Sequence, residues 1–217
     1  MRYSVCLFDL DGTLTEPKIG ITKSFQYALA AFGIHEELEN LTKYIGPPLR
    51  DVFMNSYGFS ASDAESVVSK YREYFSVFGL LENTVYTGIP ELLEQLKDAG
   101  AVMAVATSKV IPYAIRILEL FQLDGYFSFV SGDEMDGSLT KNGKGEIIRI
   151  ALDALDPARK LPSVIIGDRK HDITGGREAG IDSIGVTWGY GSVGELKDAG
   201  ATRIAETTND LFRIIAG

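Results

Sequence analysis

Cysteine occurs once in this 217-residue chain, as Cys6, so no intrachain disulfide can form and a reducing compartment, the cytoplasm, is expected. Long apolar runs are missing too: Val102–Ala106 and Val164–Ile166 are far too short to cross a bilayer. The apolar run that follows Met1-Arg2-Tyr3-Ser4 stops at Asp9, short of the core of a signal peptide. Basic runs are absent as well. With 21 Lys and Arg against 30 Asp and Glu, the formal charge is −9, which argues against a nucleic-acid backbone or an anionic membrane surface as partner. No internal repeat or low-complexity tract is visible. What is left is the composition of an acidic, soluble globule, long enough to bury a core without metal or disulfide staples.

Short β-type runs alternate with helical patterns. The runs are Tyr3–Phe8, Ala101–Ala106, Tyr126–Val130, Ser163–Ile166, Asp182–Val186 and, weakly, Arg203–Ala205. Between the later ones, Ile89–Ala99, Ile111–Phe121, Lys144–Leu155, Ile173–Ala179 and Leu211–Ile215 space their apolar residues at helical intervals. Near-continuous apolar strands joined by helices predict an α/β fold with a doubly wound, mostly parallel, Rossmann-like sheet. Roughly ninety residues separate the first run from the second, too many for one crossover. Within them Ser24–Phe32, Leu49–Tyr57 and Ser62–Phe78 read as helices, and no strand is apparent. A small all-α domain over 16–83, inserted after the first strand, is therefore expected, with the α/β core formed by 1–15 and 84–217.

The chain leaves its first strand as Phe8-Asp9-Leu10-Asp11-Gly12-Thr13-Leu14. Carboxylates at i and i+2 past a buried strand stand where open α/β sheets bind ligands. One such carboxylate is suited to nucleophilic catalysis, and a second, less ionised one to general acid and base work. Gly12 lets the backbone approach a ligand closely, and Thr13 can hold the turn. The plain alternative is a polar turn, but a full Asp-x-Asp-Gly-Thr match arises by chance at on the order of one start in a hundred thousand. A calcium loop fits poorly, because Thr13 stands where that motif needs Asn or Asp.

This segment resembles the first signature of the haloacid dehalogenase superfamily, in its phosphatase branch. The resemblance extends to three later places. Thr107, in Ala106-Thr107-Ser108-Lys109, matches the hydroxyl residue that bonds the transferring phosphoryl group, with Ser108 beside it as a substrate contact. Lys144, in Gly143-Lys144-Gly145-Glu146, matches the phosphate-binding lysine; Lys141 competes for the role, and Gly145 stands where many relatives have proline. Gly167-Asp168-Arg169-Lys170-His171-Asp172 matches the acidic signature. The resemblance implies Asp9 as nucleophile, Asp11 as general acid and then base, and Mg²⁺ held by Asp9, Asp168 and the backbone carbonyl of Asp11. Asp172 would support the metal's water shell or Lys144.

The implied reaction is hydrolysis of a small-molecule phosphate monoester through an aspartyl-phosphate. Asp11 argues against carbon–halogen cleavage, since the dehalogenase branch lacks an acid there. The helical insertion resembles the cap of phosphoglycolate phosphatase and its nucleotidase relatives. Its segment Lys43-Tyr44-Ile45-Gly46-Pro47-Pro48-Leu49-Arg50 is a stiff turn suited to presenting Arg50 or Lys43 to a second anionic group, although a plain interhelical turn reads equally well. A 5'-nucleotidase or a phosphomutase is the alternative within the class, and a non-catalytic phospho-receiver the alternative outside it. A monomer or weak homodimer is expected. His35 and His171 read as surface histidines, Asp133-Glu134-Met135-Asp136 as a solvated loop, and Cys6 as a small buried hydrophobe.

Overall fold

Val5–Phe8 (β1) are all fully buried, which is what a strand covered on both faces of a sheet requires. The structure is a computed structural model describing residues 1–140 and 143–217. After β1 the chain passes through β2 (Thr15–Glu16) into a helical unit of α1 (Lys18–Ala30), α2 (Leu38–Leu41), α3 (Leu49–Tyr57) and α4 (Ala61–Tyr74). It returns through β3 (Thr84–Val85), which pairs with β2 as a two-stranded sheet. Then follow α5 (Ile89–Asp98), β4 (Val102–Val110), α6 (Ile111–Leu120), β5 (Phe129–Asp133) and α7 (Gly145–Leu155). The chain ends with β6 (Ser163–Gly167), α8 (Lys170–Ala179), β7 (Asp182–Val186), α9 (Val193–Ala199), β8 (Arg203–Ala205) and α10 (Thr208–Ala216). Two compact units result: Met1–Thr15 with Val85–Gly217, and Glu16–Thr84.

The larger unit is a doubly wound α/β sheet of order β5-β4-β1-β6-β7-β8 with every pair parallel. Phe8 stands opposite both Val105 of β4 and Ile166 of β6. Asp9, Thr107 and Asp168 therefore stand at one end of the central strands, where the strand order reverses on either side of β1. One face packs Val5, Leu7, Ala104 and Ile165 against Ile147, Ile148, Ala151 and Leu152 of α7. The helical unit has its own aromatic core, in which Phe25 lies 5.3 Å from Phe53 and 5.2 Å from Tyr71 between ring centroids.

Several elements depart from their sequence patterns. α1 starts at Lys18 rather than Ser24 because Gly20, Ile21 and Thr22 are buried, and the Thr22 hydroxyl bonds the Lys18 carbonyl at 2.7 Å. The pattern 62–78 is α-helical only to Tyr74; Phe75–Gly79 widens into a π turn, which leaves the apolar spacing unchanged. β4 continues to Val110 through the polar residues 107–109, and β5 begins at Phe129 because Asp124–Tyr126 forms a 3₁₀ turn. The helix α9 carries only one buried apolar side chain, Leu196, so no periodic pattern announces it. Among the described residues no helix is long and apolar enough to cross a membrane.

Candidate active site

The turn after β1 is wound around one carbonyl. Leu10 C=O accepts from Thr13 N–H at 3.3 Å, Leu14 N–H at 2.9 Å and Thr15 N–H at 3.0 Å. Gly12 takes a φ of +88°, and a Cβ there would collide with the Asp168 carboxylate. Glycine thus serves both the turn and the close approach. Asp9 is anchored from below, its N–H donating to Ile166 C=O at 2.9 Å.

Carboxylate oxygens of Asp9, Asp168 and Asp172, all buried, lie within 4.8 Å of one another. Lys144 reaches into this cluster from the start of α7. Its Nζ is 2.7 Å from Asp9 Oδ1 and in hydrogen-bond contact with Asp172 Oδ1. Close packing of α7 on α8 permits the reach: a Cβ at Gly175 would press on Lys144 Cβ and on Ile148. Burial works against the Lys144 charge, but Asp172 and Asp9 outweigh it and hold the amine above the usual lysine value. Asp172 is committed on both oxygens, accepting from Lys144 on Oδ1 and from Arg169 N–H at 3.0 Å on Oδ2.

Asp168 accepts from Thr13 Oγ1 at 3.4 Å on Oδ1 and from Tyr190 N–H at 2.7 Å on Oδ2. Burial, and then the charges of Asp172 and Asp9, push its carboxyl up to about 8. Three buried carboxylates lie together with Lys144 bonded to two of them, and all their ligand atoms are oxygen. This excess of negative charge fits a hard divalent cation.

Asp11 lies outside the triple cluster. Burial pushes its carboxyl up, against the opposing effect of Lys109, whose Nζ sits 2.8 Å from Asp11 Oδ2. Two neighbouring carboxyls in unequal surroundings, one of them raised by burial, are what separates an acid from a nucleophile. Thr107 is buried at the same end of the sheet, and its Oγ1 accepts from Lys109 N–H at 3.2 Å. Ser108 is half-buried.

Lys141 lies outside the described residues. Arg50 and Lys43 belong to the helical unit, where Arg50 pairs with Glu65 at 3.1 Å and Lys43 lies 5.0 Å over the Tyr44 ring. His171 is half-buried rather than at the surface, because it lies in the first turn of α8, and burial lowers its pKa.

Asp133 also departs from the solvated loop read in the sequence. It is buried at the end of β5 and accepts from the N–H groups of Glu134, Leu139 and Thr140 at 2.9, 3.0 and 3.3 Å, as well as from the Thr140 hydroxyl. Thr140 C=O in turn accepts from Gly143 N–H at 3.0 Å, one residue before Lys144. Asp133→Ala would orphan these donors and is expected to lower unfolding free energy by about 3 kcal/mol, read by urea denaturation.

Two further contacts carry no motif: Trp188 Nε1 donates to Thr13 C=O at 3.0 Å, and Gly189 and Gly191 press on Asp168. The sequence signal for the second is the pair of glycines flanking Tyr190, which permits close backbone approach.

A model of the haloacid dehalogenase-like hydrolase family matches residues 6–186. A 5'-nucleotidase of Pseudomonas aeruginosa is 48% identical over 198 residues, which cover 91% of this chain and 88% of that protein. The tyrosine-protein kinase PtkA of Mycobacterium tuberculosis is 39% identical over 188 residues, 85% of this chain, and the match spans 62% of the length of PtkA. The crystal structure of a predicted phosphatase from Clostridium acetobutylicum aligns with a TM-score of 0.92 at 43% identity, covering 98% of both chains. This chain belongs to the haloacid dehalogenase-like hydrolases, as a phosphoric monoester hydrolase.

Proposed function

Starting from that membership, we propose that the protein is a Mg²⁺-dependent phosphatase that acts through a phosphorylated Asp9, with nucleoside 5'-monophosphates as its substrate class. The observation that carries the mechanism is the pairing of two unequal carboxyls: Asp9 with Lys144 at 2.7 Å, and Asp11 with its raised pKa two residues on. The P. aeruginosa relative, named a 5'-nucleotidase at 48% identity, directs the substrate reading to nucleotides rather than phosphoglycolate.

Asp9 Oδ2 attacks phosphorus in line. The bond from phosphorus to the leaving oxygen breaks, and Asp11 gives that oxygen its proton. Asp11 then takes a proton from a water whose oxygen attacks the same phosphorus, releasing inorganic phosphate and the Asp9 carboxylate. Lys144 and the Thr107 hydroxyl hold phosphoryl oxygens, and the Gly12 turn and Ser108 border the substrate. Mg²⁺ is assigned to Asp9, Asp168 and the Asp11 carbonyl, with Asp172 fixing Lys144; when bound, the ion neutralises charge on the phosphoryl oxygens. Substrate selection and exclusion of water are assigned to the helical unit, acting as a cap, with Arg50 as its anion contact.

A panel measuring phosphate release from nucleoside 5'-monophosphates, phosphoglycolate, pyrophosphate and p-nitrophenyl phosphate tests this reading. The highest kcat/KM is expected on a nucleotide. Release should stop with a chelator, return with Mg²⁺, and lose its selectivity in Arg50→Ala. Preference for phosphoglycolate would overturn the substrate class, and indifference to chelation the metal. The name of the mycobacterial relative raises a second acceptor, a protein tyrosine; label passing from ATP to tyrosine, with no phosphate released from any ester, would favour that reading.

A further inference from the structure

We propose that Lys109 is a positioning residue that fixes which oxygen of Asp11 faces the leaving group. The inference rests on Asp11 acting as the acid in the reading above.

Lys109 is brought to Asp11 by an irregularity in β4. The pairing of β4 with β5 shifts register between Ala106 and Val110, and the bond from Lys109 N–H to Thr107 Oγ1 fixes the backbone inside that irregular stretch. From there Lys109 Nζ meets Asp11 Oδ2 at 2.8 Å, with the two side chains only 8% and 13% exposed. The other oxygen, Asp11 Oδ1, is buried and has no hydrogen-bond partner among the described residues. A buried carboxylate oxygen without a donor is costly and calls for a partner that arrives during the reaction.

Among the described residues, two lysines at this end of the sheet divide the work. Lys144 is bonded to Asp9, where the phosphoryl group is expected, whereas Lys109 is bonded to the acid. A carboxyl that must give a proton to one oxygen and later take one from water needs a fixed orientation, because half a turn of its terminal torsion exchanges the two oxygens. A lysine supplies only donors, so it pins Oδ2 and leaves Oδ1 to face the reacting atoms.

Leaving groups separate this role from a merely structural one. A nucleoside alkoxide needs a proton to depart, and p-nitrophenolate does not. In rapid-quench experiments, Lys109→Met is expected to slow the first turnover of a nucleoside 5'-monophosphate about a hundred-fold. On p-nitrophenyl phosphate its first turnover should stay at the wild-type rate and show as a burst of one equivalent, followed by slow release, since water activation also needs Asp11. Lys109→Arg should restore both phases, and it carries the same comparison, as a gain over Lys109→Gln, should the Met variant not fold.

Asp11→Asn serves as the reference. If it slows both esters equally, the acid reading itself fails. If Asp11→Asn discriminates between the esters but Lys109→Met slows both equally, Lys109 serves the phosphoryl group and the proposal is overturned. Wild-type rates on both esters in Lys109→Met overturn it as well.

Discussion

Asp9→Asn is expected to remove phosphate release from every monoester, by on the order of 10⁴-fold or more, because an amide supplies no oxygen able to form the acyl phosphate. The fold should survive. Asparagine is nearly isosteric with aspartate, and the bond that anchors the position runs from its backbone N–H to Ile166 C=O, so the side chain takes no part in it. Acid quenching should trap phosphate on the wild-type protein and none on the variant. Turnover above a hundredth of the wild-type rate, after exclusion of contaminating enzyme, would remove Asp9 from the mechanism.

The second large effect belongs to Lys144→Met. This lysine is the cation bonded to both Asp9 and Asp172, and it is buried with them. On the proposed mechanism its loss takes a positive charge from the phosphoryl oxygens, and kcat should fall about a thousand-fold. It also leaves the acid cluster unbalanced, a change that costs about 3–5 kcal/mol when a buried pair loses one partner.

The pH dependence follows from the carboxyl that burial pushes up to about 8, Asp168. A raised carboxyl favours the fold in its protonated form, so its contribution is fully present below the unfolded value and is lost as pH rises through about 8. Without divalent cation, the Tm of the wild-type protein should therefore drop steadily between about pH 5 and pH 9, and Mg²⁺ should flatten that slope. A Tm that rises over this interval would show that the acids are balanced by something other than Lys144 and a metal.

The sheet could be read from the sequence because its strands are buried on both faces. Val5–Phe8 and Val164–Ile166 carry no solvent-facing residue, so their apolar runs are continuous and each ends abruptly at a polar residue that marks the end of the sheet. The same abrupt endings make the acidic cluster legible: Asp9 and Asp168 both follow such a run directly or after one glycine.

What stayed hidden lacks an apolar signature. β4 extends through Thr107, Ser108 and Lys109, three polar residues that read as a turn, so the ion pair between Lys109 and Asp11 had no local signal. Asp133 reads as one of several loop acids, and only its hydrogen bonds to a segment six and seven residues away distinguish it from Glu134 and Asp136. The β2 and β3 strands have two residues each, below the length at which alternation can be seen.

Those two short strands have a consequence for redesign. The polypeptide crosses between its units only at 15–16 and 84–85, and the two crossings are bonded to each other. Everything from 16 to 84 is therefore a cassette with adjacent ends, and excising it would sever no strand of the six-stranded sheet. Asp9, Asp11, Lys109, Lys144 and Asp168 all lie outside the cassette. If the helical unit selects substrate as proposed, grafting a foreign insert between Thr15 and Val85 is expected to change the preference measured on the ester panel, with Asp9, Asp11, Lys109, Lys144 and Asp168 all retained.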